Sequence, residues 1–308
     1  MEGFTRGAGD CAVTLCDTRP DLVETWARSL PARQVSVRPW DPGNPGGLLA
    51  TVKGAALVVL GSAAHARSAT AVRTACIEAE VPYLDLYDDV ASASSALAFA
   101  REAEEAGVPL FVGCGASPGL SSMLAVDAAR ELDSVQSVDM LWTSGDHARA
   151  DRRALDDLLS MVVAVPSRHG RPSMPGRSST GGAGERYARR GGGHPAALTL
   201  SRGLPAAVRV HGSGRPVLGL LARVAGTCDG EPAVVIRRTP ADAEGAIPLN
   251  DAAVLAGTAC AAFAMLALDH AAKWKGVLAP EDWADPEAFY SAMERTGVHP
   301  ADIVETVV

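Results

Sequence analysis

The sequence predicts an α/β protein: a parallel sheet covered by helices, followed by a second, α+β domain with a mainly antiparallel sheet. Three observations carry this. Short apolar strand signals alternate with helical signals from residue 11 to residue 112, over short connections, as in a parallel sheet with helices on both faces. After about residue 131 the pattern changes to a run of short strand candidates, which suits antiparallel pairing. Between the two lies an apolar run, Leu110 to Val112, followed by Gly113, Gly115, Ser117 and Pro118. A helix then carries Leu120, Met123, Leu124 and Ala128 at helical spacing.

Taken in order, residues 11 to 16 read as a strand ending at Asp17. Leu22, Trp26 and Leu30 share a helical stripe over 19 to 30. Val35 to Val37 is a second strand, residues 41 to 47 are a Pro/Gly loop, and Leu48 to Val52 is a short helix. Ala56 to Leu60 and Tyr83 to Leu86 are buried strands, and helices run from about Ser68 to Glu80 and from Ala93 to Ala106, where Gly107 stops the second. Val135 to Trp142 is a strand, Arg152 to Val163 a helix, and 166 to 195 a Gly/Ser/Pro/Arg-rich loop. Strand candidates follow at 196–200, 206–211, 218–225 and 233–238, then a long helix, Asp251 to His270, and a last one over 286 to 296. The implied domains are 1–130, 131–270 and a C-terminal segment, 271–308, that returns to the first domain.

Composition excludes several classes. With 28 basic and 36 acidic residues the net charge is −8, so nucleic acid is not an expected partner. The six cysteines form no Cys-x-x-Cys pair and no zinc-like spacing with histidine, so no metal is expected. They read as reduced residues of a cytoplasmic protein. The uncharged run Ala252 to Leu268 is short for a membrane span and reads as a core or interface helix, so no membrane partner is expected.

In the central turn, Ser117 is placed to cap the helix and Pro118 to occupy its first position. A strand ending in glycines that opens into a helix offers backbone N–H groups to an anion. Packing of strand against helix explains the same glycines. At the carboxyl ends of the strands, Asp85, Asp88 and Asp89 crowd carboxylates, and crowding shifts pKa values apart for acid–base work. A helix N-cap and a solvated acidic turn account for them without any chemistry. His147 and His194 are candidate general acids or bases, and the loop arginines could clasp an anion. Tyr87, Cys114, Ser117, Thr143 and Ser144 are candidate substrate contacts. Cys114 is either a thiol activated by the following helix or a small buried residue.

The stretches Ala75-Cys76-Ile77-Glu78-Ala79-Glu80-Val81-Pro82-Tyr83-Leu84-Asp85-Leu86 and Val112-Gly113-Cys114-Gly115-Ala116-Ser117-Pro118-Gly119-Leu120-Ser121 resemble the middle of saccharopine-dehydrogenase-like oxidoreductases. The tail, from Ala256-Gly257-Thr258 to Gly276-Val277-Leu278-Ala279-Pro280-Glu281, resembles that family's C-terminal helix and its exit. The resemblance spans most of 11 to 300 and is weakest from 146 to 205. It implies a Rossmann-like domain, an α+β substrate domain, NAD(P) between them and a small imine or carbonyl substrate. Asp17, Gly61 and Ser62 would be the cofactor contacts, Asp17 because it ends the strand resembling the family's second, whose terminal acid binds the adenosine ribose.

Family members open with a strand, a Gly-x-Gly-x-x-Gly turn and a helix, and here Gly7 and Gly9 precede the first strand instead of following it. The turn after it, Cys16-Asp17-Thr18-Arg19-Pro20, has no glycine, and Asp17 repels a pyrophosphate. Each charge-assisted hydrogen bond to the phosphates contributes about 1.5–3 kcal/mol, so their loss removes most dinucleotide affinity. The expectation is therefore a truncated Rossmann-like sheet in which strand 11–16 pairs directly with strand 56–60 or another element fills the gap. The expected protein has lost its cofactor and performs non-redox chemistry, such as cyclisation, dehydration or isomerisation, on a carbonyl-bearing metabolite. An NAD(P)-dependent oxidoreductase acting on a C=N or C=O bond is the alternative. A non-catalytic binding protein, homodimeric through its C-terminal helix, is the third reading.

Overall fold

The computed structural model describes residues 11–28, 30, 35–41, 44–61, 66–86, 90–143, 219–240, 247 and 251–307. The chain divides into two compact units, one holding residues up to Gly119 with Ala256–Val298 and the other Leu120–Leu255 with His299–Val308.

In the first unit, β1 (Val13–Asp17) and β2 (Val35–Pro39) run parallel, from Val13↔Val35 to Asp17↔Pro39. The Thr14 and Ser36 hydroxyls bond across them at 3.0 Å. Between the strands lies α1 (Pro20–Ala27), and α2 (Pro45–Val52) follows β2. Asn44 starts α2 by accepting the Gly47 N–H at 3.0 Å, with Pro45 at the first helical position, where a missing N–H costs nothing.

A separate four-stranded parallel sheet has the order β3 (Val58–Leu60), β4 (Tyr83–Asp85), β5 (Pro109–Phe111), β9 (Gly276–Leu278). Among the described residues β1 pairs with β2 alone, and β3 starts the second sheet. The expected direct pairing of strand 11–16 with strand 56–60 is therefore not made. Its physical trace is exposure: Val59 is 42% exposed, although parallel strands are ordinarily covered.

Helix α3 (Ala66–Glu78) leads from β3 to β4, and α4 (Val90–Leu97) and α5 (Ala100–Ala106) lead from β4 to β5. The single helix expected over 93–106 is two. The chain tightens where the Phe99 N–H returns three residues, to the Ala96 carbonyl at 3.0 Å. Gly107 then closes α5 at φ 70°, its N–H on the Ala103 and Glu104 carbonyls.

Strand β9 is absent from the sequence reading because three residues among prolines carry no periodicity. It enters at Gly276, φ 81°, and lies beside β5 with Leu110 opposite Val277. The core here is aromatic. The rings of Phe111 and Trp283 lie 4.3 Å apart, as do those of Phe263 and Phe289. Phe263 comes from α7 (Ala252–His270), and Trp283 and Phe289 come from α8 (Pro280–Trp283) and α9 (Pro286–Arg295). From Thr258 to Ala267 every residue of α7 is buried, so its uncharged stretch is a core element.

The second unit is an antiparallel sheet, β10 (Glu305–Val307), β8 (Glu231–Arg238), β7 (Gly219–Cys228), β6 (Ser134–Thr143). A two-residue turn, Asp229-Gly230, joins β7 to β8 with both φ angles positive, 53° and 80°. This is the twist a tight hairpin needs. Leu220, Ala222 and Val224 alternate inward along β7 under α6 (Leu120–Ala129). Arg237 of β8, buried beneath α6, bonds Asp127 at 2.9 Å and also bonds Glu131. At the β6 bulge between Val135 and Ser137, a Cβ on Gly226 would collide with the Ser134 carbonyl. Gly226→Ala should therefore lower stability by about 1–3 kcal/mol, read as a fall in the urea midpoint at unchanged slope. An unchanged midpoint would show that the bulge relaxes freely. The expected elements at 152–163, 166–195, 196–200 and 206–211 lie outside the described residues.

Candidate functional site

The carboxyl ends of β3, β4, β5 and β9 are where an open parallel sheet presents its chemistry. Asp85 ends β4, and its side chain is 1% exposed. Its Oδ2 accepts from Arg73 Nη2 and Tyr83 Oη, both at 2.8 Å. Its Oδ1 accepts from the Gly113 N–H at 3.0 Å, and its main-chain carbonyl from the Cys114 N–H at 2.7 Å. Arg73, on α3, is equally buried. It donates through Nη1 to Ser95 Oγ at 2.7 Å and the Ser92 carbonyl at 3.4 Å, and lies 5.4 Å from the centre of the Tyr83 ring. Burial opposes its charge, but Tyr83 and Asp85 outweigh burial and raise its pKa. The carboxylate thus binds β4 to α3 and to the turn after β5. This geometry gives Asp85 a holding role.

The glycine turn follows from that anchoring. The N–H groups of Gly113 and Cys114 go to Asp85, and that of Gly115 goes to the Pro118 carbonyl at 3.2 Å. These three amides of the turn are therefore bonded inside the protein. The helix starts at Leu120, so Ser117 and Pro118 lie in the preceding turn and are not its cap and first residue; the Ser117–Pro118 bond is cis. Gly119, at φ 120°, is required here because a Cβ would strike the Gly115 carbonyl.

Cys114 is fully buried. Burial first, then the negative charge of Asp85, Cys260 and Glu281, pushes its thiol well above the ordinary range. A neutral, enclosed thiol suits the small buried residue of a closed turn.

Asp17 ends β1. Its Oδ1 accepts from the Arg19 N–H at 2.8 Å and from Thr18 Oγ1 at 3.5 Å, while its carbonyl takes the Trp40 N–H at 2.8 Å. Its Oδ2 has no partner among the described residues. Gly61, exposed at the end of β3, would bring a Cβ only within 3.8 Å of Leu86 Cδ2. Thr143 is the last residue of β6, opposite Gly219. Ser62, Tyr87, Asp88, Asp89, Ser144, His147 and His194 lie outside the described residues. The structure therefore brings Asp85, Cys114 and the 113–119 turn together. Arg73 and Tyr83 went unread; the one signal for Arg73 was a lone basic residue on a helix face otherwise carrying Ala69, Val72 and Cys76. Among the described residues no group of acidic, histidine or cysteine side chains is placed to hold a metal.

A parallel sheet alternating with helices, an antiparallel sheet beyond it and a late strand returning to the parallel one define a Rossmann-like α/β protein. Solved structures that share that fold include two that are relatives in fold alone. Saccharopine dehydrogenase (L-Glu forming) from Saccharomyces cerevisiae aligns with TM-score 0.61 at 13% identity, over 100% of this chain and 98% of that one. Homospermidine synthase from Legionella pneumophila, in complex with NAD, aligns with TM-score 0.58 at 11% identity, over 96% and 87%. No family model matches the chain, and no curated protein matches it in sequence. At these identities the likeness is one of fold.

Proposed function

We propose that this chain is an NAD(P)-dependent oxidoreductase acting on the C=N or C=O bond of a small metabolite. The observation that carries the reading is Asp17: a carboxylate at the carboxyl end of a parallel strand, one oxygen ordering its own turn and the other without a partner among the described residues. Such an acid accepts the two hydroxyls of an adenosine ribose. The fold is shared with an enzyme whose structure contains NAD. Gly61, bare at the end of β3, leaves the main chain open to a ligand. When bound, the nicotinamide supplies or accepts hydride; this chain's residues position the ribose.

The fit covers one end of the cofactor. Among the described residues the amides of 113–115 are spent, and the turn after β1 has no glycine to bring the main chain close to a pyrophosphate. That observation favours a second reading, non-redox chemistry on the same scaffold. Calorimetry with NADH and NADPH separates the two. The oxidoreductase reading expects binding by the natural chain and a loss of about 10–100-fold in Asp17→Ala, equivalent to the 1.5–3 kcal/mol of a charge-assisted hydrogen bond. No binding of either nucleotide at millimolar concentration would leave the non-redox reading in place.

A further inference from the structure

We propose, on the ribose reading of Asp17, that Asp17 and Trp40 form a site for an adenine nucleoside, one that gains nothing from a nucleotide's phosphates. The two residues are neighbours at the carboxyl ends of paired strands. Asp17 closes β1, Trp40 follows β2, and the Trp40 N–H donates to the Asp17 carbonyl at 2.8 Å. Asp17 is half-buried, and the Arg19 N–H holds its Oδ1 at 2.8 Å, so the carboxylate is fixed before a ligand arrives. A carboxylate fixed in this way accepts from the paired hydroxyls of a ribose at little cost in ordering. Trp40 is half-buried too. Its indole Nε1 is enclosed and has no acceptor among the described residues, whereas a buried indole N–H ordinarily has one. An aromatic ring with a donor to spare, next to a ribose acceptor, suits a purine, whose face stacks and whose ring nitrogens accept.

Phosphate fares differently at the same strand end. Helix α1 starts at Pro20, and a helix amino terminus ordinarily receives phosphate through its free amides. Here those amides are largely used. The Arg19 N–H is bonded to Asp17, Pro20 has none, and the Leu22 N–H returns to the Arg19 carbonyl at 3.2 Å. Asp21 adds a second carboxylate in the first turn. Arg19 and Arg38 are exposed, and water screens their charge. An added phosphate therefore meets more repulsion than attraction.

Calorimetry with adenosine, AMP, ADP and NADH tests this. Adenosine should bind, and AMP should bind at least about threefold more weakly, with the gap closing as salt is raised. Trp40→Ala should weaken adenosine binding at least about tenfold, and Trp40→Phe, which keeps a ring to stack on, should recover most of that loss. Asp17→Asn should bring adenosine and AMP to equal affinity, a change that mere loss of structure would not produce. AMP or ADP binding more tightly than adenosine would overturn the proposal. Binding of NADH with none of adenosine would overturn it as well, and would leave the oxidoreductase reading standing. Binding of adenosine with none of NADH would uphold it and end the oxidoreductase reading, and binding of none of the four would end both.

Discussion

Asp85→Ala should cost about 3–5 kcal/mol of folding stability, the range for removing one partner of a buried ion pair. The substitution strands three donors at once. Arg73, as buried as the carboxylate it meets, keeps its charge without a counter-charge. The Tyr83 hydroxyl and the Gly113 N–H lose their acceptors as well. Asp85→Asn should fall between alanine and the natural residue, because it keeps an acceptor but not the charge. Tyr83→Phe removes one hydrogen bond and should cost about 1 kcal/mol. Urea unfolding monitored by tryptophan fluorescence reads all three. A natural midpoint in Asp85→Ala, with activity abolished, would return Asp85 to the acid–base role its place in the sequence suggested.

Asp85 marks the border between what the sequence reveals here and what it does not. The order of strands and helices up to residue 112 was legible because apolar runs and helical stripes are local signals. The antiparallel set from 134 to 143 and 219 to 238 was legible for the same reason. Partners were not. Asp85, at a strand end beside a glycine turn, looks the same in sequence whether its carboxylate faces a substrate or Arg73, twelve residues upstream on α3. The amides of 113–115 look available until Asp85 is seen to hold two of them. Strand β9 is three residues long and is a strand only because β5 lies beside it. The split between β1 and β3 is likewise a matter of pairing, which no local pattern encodes.

Stability should fall steeply on the alkaline side, through thiols the chain buries. Cys76 and Cys114 are fully enclosed, and Cys260 is 6% exposed. Burial pushes the Cys76 and Cys260 thiols up to about 12, and Cys114, with Asp85 and Glu281 adding to burial, well above the ordinary value. In the unfolded chain each titrates near about 8.5. Below that pH both states hold the proton, and these groups add no pH dependence. Above it the unfolded chain releases protons that the folded one keeps, so unfolding gains about 1.4 kcal/mol per thiol per pH unit until the folded thiols titrate too. By about one unit past the unfolded value the three together should remove about 4 kcal/mol. Other groups titrate in this window, so the measurement is a comparison. Cys76→Ala and Cys260→Ala should each be less stable than the natural chain at pH 8. Each should then lose about 2 kcal/mol less between pH 8 and pH 10, because one buried thiol is gone. A drop of the same size in the natural chain and both variants would mean that the thiols are open to water in the native state. Cys114 would then have to be reconsidered as a nucleophile.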